Sequence, residues 1–412
     1  MSIGLKNYSL KNEGENRINF DYSAGMPVDP VIVDEMIPYM TTKYGNPSSL
    51  HSFGQEARVA LVDAQRRVAK LIGSTDPEKE IYFTSSATES NNLALRGVAL
   101  RNKKRGNHVI ISAIEHVSIR NVAKYLQLRG FKITILPVGE DGIVDVNFLK
   151  DAIEPGTILA SIMHANNEIG TIQPIEEISS VTQNEGILLH VDATSSTGKI
   201  PIDVARSGID LLTIPSNDLS GPKGVGGIFI KDGTPIEPII FRGGQQRGLR
   251  SASEDVAAIV GMGKAAEIAE RRMGSDGKRL TRMRDKIMDS VSETVEGVSV
   301  YGHREHRLPN NAMIGIFGVE GEQAIMELDK NGISASTGSA CASKNLDLSH
   351  VLEAIGVNEV ERYGTILFSL SRWNREKEVD RLLAVLPRII GELREISPIW
   401  KFRDRLEEFY AG

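Results

Sequence analysis

Along the first two thirds of the chain, short apolar runs alternate with amphipathic stretches. The runs Ile81–Thr84, His108–Ser112, Lys132–Val138, Thr157–His164, Ile187–Ala193, Leu211–Pro215 and Gly227–Ile230 have strand length and strand composition. Between the strand-like runs lie helical spacings such as Glu56–Ile72, with Val59, Val62, Val68, Leu71 and Ile72 expected on or near its apolar face. Strands recurring with helices between them predict βαβ units: an α/β fold with a mostly parallel sheet covered on both sides. In such sheets ligands collect beyond the carboxyl ends of the strands. The polar ends of these runs are therefore the first places to look for chemistry.

From about Arg250 the pattern changes. A long helical stretch, roughly Asp255–Val295, leads to short strands near Val298–Tyr301, Ala312–Phe317 and Thr365–Leu370, with helices around Leu348–Ala354 and Lys377–Glu395. This predicts a smaller α+β C-terminal domain joined through the long helix. The expected division is an extension over 1–18, a large domain over 19–260 and a small domain over 261–412. A length of 412 residues agrees with more than one core.

Composition narrows the classes. No run of about 18 apolar residues is present to span a membrane, and the first 20 residues lack the apolar core of a signal peptide, so a cytoplasmic protein with no membrane partner is expected. The net charge of −6 and the dispersed basic residues argue against nucleic acid as the main partner. Cys341 is the single cysteine, which excludes an internal disulfide and any metal site built from several thiolates of this chain. It leaves open a reactive thiol, or one ligand of a site completed by another protein. The surrounding Ser334–Lys344 segment is small, polar and without apolar periodicity, which favours an accessible loop thiol over a buried one.

Several strand ends carry candidate chemistry. Thr84-Ser85-Ser86-Ala87-Thr88-Glu89 follows a strand and opens a helix, fitting either a phosphate cradle or a hydroxyl-rich helix cap. His190-Val191-Asp192-Ala193 ends a strand in a carboxylate that could hold a pyridinium nitrogen protonated, or cap the next helix. His116 could stack on a flat ring, and Asn166-Asn167-Glu168 could offer amides to a ring hydroxyl. Gly221–Gly227 is a tight turn feeding a strand. Gly243–Ser251 is a glycine- and arginine-rich turn whose cations either approach a phosphate or are solvated. Each signal is weak alone; their repetition at successive strand ends is not.

Together these segments, with Gly45-Asn46-Pro47-Ser48-Ser49, Glu115-His116, His164–Gly170, Arg250–Ser253 and Gly338–Cys341, resemble the class V aminotransferases, specifically the NifS/IscS-type cysteine desulfurases. The likeness runs from about Asn19 to Ser397–Trp400. It implies a pyridoxal-phosphate-dependent transferase of fold type I and a homodimer with sites at the subunit interface. It also implies sulfur delivery from L-cysteine to an IscU-type iron–sulfur scaffold protein, with a C-terminal docking tail here containing Trp400, Phe402, Phe409 and Tyr410. By resemblance, Ala87 and Thr88 match the phosphate turn, His116 the ring-stacking histidine and Asn167 a neighbour of the cofactor's phenolic oxygen. Asp192 matches the pyridinium partner, Ser253 a phosphate contact donated across the dimer, and Cys341 the nucleophile that takes sulfur as a persulfide. Ser195, Ser216 and Asn217 fall at further cofactor-contacting positions.

The departures from the family pattern cluster. Pro215, Asn217 and Asp218 stand where the family has Ser, His and the Schiff-base Lys, Ser195 where it has Gln, and Leu367 where it has the Arg that clamps the substrate carboxylate. A carboxylate cannot form an imine, so any bound cofactor is expected to be held non-covalently through Thr88, His116, Asn167 and Asp192. Lys223, the nearest alternative lysine, matches the family's own Gly-Pro-Lys-Gly turn and is not expected to serve as a substitute anchor. Two readings stay open. One is a desulfurase with an intact persulfide cysteine. The other is an impaired homologue acting as a scaffold partner, in which Cys341 carries sulfur from another source or ligates a nascent [2Fe-2S] cluster shared with the scaffold.

Overall fold

The computed structural model describes residues 17–241, 243–338 and 348–402. A two-residue strand, β1 (Ile18–Asn19), comes first, and the central sheet follows. Its strands are β2 (Ile81–Thr84), β3 (His108–Ser112), β4 (Lys132–Leu136), β5 (Thr157–Met163), β6 (Leu188–Asp192), β7 (Leu211–Pro215) and β8 (Gly226–Ile230). They lie in the order β2-β8-β7-β6-β5-β3-β4. Only β8 is reversed, pairing antiparallel with both β7 and β2. The sheet is thus mostly parallel, as the alternation of strands and helices requires, and apolar side chains are buried on both of its faces.

A second, three-stranded antiparallel sheet consists of β9 (Val298–Val300), β10 (Asn311–Ile316) and the later β12 (Thr365–Ser369), ordered β12-β10-β9. Between the last two in sequence, β11 (Ile333–Ser334) pairs parallel with β1, so the start of the described chain joins this part of the molecule. The helix Val256–Thr294 links the two cores. Its first half buries Ala258–Ala269 against the central sheet, and its second half buries Leu280, Met283, Ile287 and Val291 against the small one. At 1.5 Å per residue its 39 residues span about 58 Å, long enough to serve both cores.

The helix Ser52–Ile72 corrects one expectation. Val59 is not on its buried face: it is 69% exposed, and the buried stripe is Ala57, Ala60, Ala64 and Val68. The cause is close approach to the long helix. A Cβ added to Gly263 would lie 2.7 Å from the Ala64 Cα, so this contact admits only small residues. Alanine and glycine weigh little in a hydropathy count, which is why Val59 was expected on this face, whereas Val68, Leu71 and Ile72 are buried as expected. The helix Pro30–Thr41 was not anticipated either. Asp29 caps it, accepting from the Val31 N–H at 3.0 Å, and Pro30 occupies its first turn. That Asp-Pro pair is the local signal that reveals it.

Among the described residues no helix is long and apolar enough to cross a membrane.

Candidate functional site

All strands of the central sheet except β8 point their carboxyl ends the same way, and a cavity of about 460 Å³ opens there. Ser86–Thr88 reach it from the end of β2, His116 from β3, Asn167 from β5, Asp192 and Ser195 from β6, and Asn217 and Asp218 from β7. The opposite wall comes from the small sheet and the chain before it, including Asn310, Asn311, Leu367 and Ser369. The fold therefore collects at one place residues spread over more than a hundred positions.

At its floor, Asp192 is held by a hydrogen-bond network. Oδ1 accepts from the Thr194 N–H at 2.9 Å and from the Thr194 hydroxyl, and Oδ2 accepts from Asn91 Nδ2 at 2.8 Å. Asn91 Nδ2 also donates to Ser118 Oγ at 2.9 Å, and Ser118 Oγ lies 2.8 Å from His116 Nδ1. The Ser118 backbone N–H donates to that same Nδ1 at 3.2 Å, which leaves the hydrogen of a neutral ring on Nε2. Carboxylate and imidazole, 76 residues apart in sequence by their numbering, are thus oriented by one amide and one hydroxyl. Asn91 was not singled out from the sequence. It sits inside the helix Ala87–Asn102, where only the fold reveals that it faces Asp192.

The phosphate-like corner is the N-terminus of that helix. Ser86 caps it, its hydroxyl accepting from the Glu89 N–H at 3.1 Å. Cap and cradle are therefore compatible: the cap uses one N–H, while Ala87 and Thr88, in the first turn, line the cavity. The glycine- and arginine-rich turn serves elsewhere. Arg250 Nε pairs with Glu89 Oε1 at 2.8 Å, and the Arg247 guanidinium lies 4.2 Å over the Tyr82 ring. Neither arginine lines the cavity.

At the end of β7, Asp218 lines the cavity from a turn of 3₁₀ helix, with Asn217 Nδ2 donating to its Oδ2 at 3.4 Å. Burial raises the Asp218 pKa above the usual carboxylate range, partly offset by the charge of Lys199. Lys199 also lines the cavity, and its Nζ donates to the Ser195 carbonyl at 2.9 Å. Ser216 differs from expectation. It is buried behind the wall rather than lining it, its hydroxyl only 2.5 Å from where a Gly221 Cβ would stand. Its carbonyl accepts from the Leu219 and Gly221 N–H groups, so it builds the turn that presents its neighbours.

Asn167 lines the cavity, whereas Asn166 is structural: it donates to the Ile114 carbonyl at 3.0 Å and accepts from the Glu168 and Ile169 N–H groups. Leu367 presents no charge; it packs with Ile114, Met163, Met313 and Leu352. Ser253 is exposed and away from the cavity. Cys341 lies outside the described residues, as do Phe409 and Tyr410. Below the floor, the fully buried Glu115 accepts from the Met163 N–H at 2.8 Å and from Ser112. Burial pushes its pKa up to about 8, with a further rise from the Asp192 charge.

The residues present fit pyridoxal phosphate on the non-covalent side: a helix N-terminus for the phosphate, an oriented His116 for the ring and an anchored Asp192 for the pyridine nitrogen. Asn91, Asn310 and Asn311 line the same cavity, and the Oδ1 atom of each is buried without a hydrogen-bond partner among the described residues. The position at the end of β7 does not fit a covalent anchor, because Asp218 has no amine.

Residues 18–382 match the family described as Aminotransferase class-V. The cysteine desulfurase IscS 1 of Archaeoglobus fulgidus is 51% identical over 382 residues, covering 93% of this chain and 99% of the relative. The cysteine desulfurase IscS of Methanosarcina thermophila is 41% identical, covering 94% and 96%. Among solved structures, a NifS-like protein superposes with a TM-score of 0.86 at 37% identity, covering 92% of this chain and all of that one. SspA in complex with cysteine gives 0.77 at 31% identity, covering 87% and 99%. The chain belongs to the aminotransferase class-V family and groups there with proteins named cysteine desulfurase.

Proposed function

We propose that this protein is a pyridoxal-phosphate-dependent cysteine desulfurase of iron–sulfur cluster assembly, which takes sulfur from L-cysteine as a persulfide on Cys341 and passes it to a scaffold protein. The observation that carries this reading is the convergence of Thr88, His116, Asn167 and an anchored Asp192 in one cavity at the carboxyl ends of the strands. The names of the relatives, and the cysteine bound to SspA, support it over the reading of an impaired scaffold partner.

When bound, the cofactor supplies an electron sink for the carbon next to the substrate's carboxylate. The protein's share is to position and to hold protons. The N–H groups of the first turn after Ser86 would hold the phosphate, and Asp192 would keep the pyridine nitrogen protonated. His116, its Nδ1 accepting from the Ser118 N–H, would lie against the ring with the hydrogen of a neutral imidazole on Nε2. The small sheet forms the opposite wall of the cavity.

A homodimer in the cytoplasm completes the reading. Tyr44 and Phe53 stack at 5.8 Å on the surface, and Leu50, three residues before Phe53, is 92% exposed, so this segment carries exposed apolar side chains of the kind that interfaces cover. Pro47 and Ser48 share a groove with Gly244–Arg247, in the segment that leads to Ser253, which suits a residue donated to a partner's site. We also take residues 19–260 and 261–412 as two domains, with 1–18 as an extension.

The test is sulfide release from L-cysteine by purified protein supplied with pyridoxal phosphate and a thiol reductant. Turnover is expected, and Cys341→Ser is expected to abolish persulfide formation. Protein that holds the cofactor yet releases no sulfur would overturn the proposal.

A further inference from the structure

Position 218 lacks the amine this chemistry uses, but the cavity does not. Among the described residues lining it, Lys199 is the single lysine, and it approaches from the turn that follows β6. Lys223, on the family's glycine-rich turn, is exposed and does not line the cavity. We propose that Lys199 supplies the amine that captures pyridoxal phosphate, with Asp218 as its proton partner. This rests on the cofactor reading above and deepens it, replacing a purely non-covalent hold with a covalent one.

Three observations carry the assignment. Lys199 and Asp218 line the same two neighbouring hollows, so both residues contribute to the same part of the cavity wall. Its one hydrogen bond there is to the Ser195 carbonyl of its own turn, a contact that a rotation of the side chain releases. Ser195 is itself short where the resembling family carries a Gln. The electrostatics agree with the geometry. Burial lowers the Lys199 pKa below the ordinary lysine range, against the opposing charge of Asp218, which increases the fraction of free amine. Burial raises the Asp218 pKa, with Lys199 opposing, which makes Asp218 a better proton carrier near neutrality than an exposed carboxylate.

The step balances without an oxidant. The free Lys199 Nζ attacks the aldehyde carbon, and a C=N bond replaces the C=O bond. The oxygen departs as water with the two amine hydrogens, Asp218 giving one proton to the leaving oxygen and recovering one from the nitrogen.

The experiment is borohydride reduction of the full-length protein after incubation with pyridoxal phosphate, followed by proteolysis and mass mapping. A phosphopyridoxyl group on Lys199 is expected, together with loss of the visible imine band on reduction. Lys199→Arg, which keeps the charge but forms no imine, is expected to lose both signals while retaining bound cofactor by fluorescence. Should that variant misfold, the mapping on unaltered protein still decides the matter. Adduct on another lysine, bound cofactor indifferent to borohydride, or no bound cofactor would each overturn the proposal. The two readings separate cleanly. Lys199 adduct without sulfide release from cysteine defeats the desulfurase function and leaves the anchor standing. Sulfide release without Lys199 adduct does the reverse.

Discussion

Asp192 shows how a residue legible in sequence acquires its role only through residues that are not. An acid at the end of an apolar strand is readable as such, but its orientation comes from Asn91 and Thr194. Asp192→Asn keeps the shape and removes the charge. A hydrogen bond to a charged group contributes about 1.5–3 kcal/mol, so pyridoxal phosphate affinity is expected to fall ~10–100-fold. Fluorescence titration of the cofactor measures it, and an unchanged dissociation constant would exclude Asp192 as the ring-nitrogen partner. Ser216 marks the opposite case. Its neighbours Asn217 and Asp218 line the cavity while it turns inward against Gly221, a distinction set by the turn geometry and invisible to motif alignment. Lys199 escaped the sequence reading for a similar reason: nothing in Thr197-Gly198-Lys199 says that this lysine turns toward Asp218.

At the scale of elements, period-two and continuous apolar runs located every strand of the central sheet to within two residues at either end. Their signal is strong because β3, β5, β6 and β7 are covered on both sides. The helices were less legible where contact depends on smallness rather than apolarity. The Ser52–Ile72 helix meets Val256–Thr294 through Ala60, Ala64, Val260 and Gly263, and Val59 turns to solvent. Gly263→Val tests this directly. Its Cβ would lie 2.7 Å from backbone at Ala64, and overpacking of this kind typically costs about 1–3 kcal/mol. Urea unfolding followed by far-UV circular dichroism is expected to show a lower midpoint with an unchanged slope, whereas Val59→Ala is expected to change the unfolding free energy by less than about 0.5 kcal/mol. Equal effects of the two substitutions would mean that the helix face has been assigned wrongly.

For the whole molecule, buried ionisable groups beneath and beside the cavity set how stability responds to pH. Burial raises Glu115 to about 8 and Glu168 to about 7, the latter eased by the Ser349 hydroxyl. Burial lowers His164, His190 and His350 to about 4, with Arg120 adding to the effect at His350 and Asp192 opposing it at His190. The two carboxyls stay protonated in the folded protein while the unfolded chain, with a reference value of 4.5, releases its protons. Their contribution is full below pH 4.5 and declines until the pH passes 7 for Glu168 and 8 for Glu115. The histidines act in the other direction: neutral when folded and protonated when unfolded, they cost stability as pH falls from 6.5 towards 4. Between pH 6.5 and 8.5 the loss at the two carboxyls exceeds the remaining gain as the unfolded histidines finish deprotonating, so stability is expected to fall, by an amount on the order of 1–2 kcal/mol. Glu115→Gln keeps an acceptor for the Met163 N–H and has no proton to lose. Denaturant midpoints at pH 6.5 and 8.5 are therefore expected to differ less in this variant than in the unaltered protein. The same burial that ties Glu115 to the floor of the cavity would then link the alkaline limit of the fold to the site itself, since the charge it gains on ionising faces Asp192.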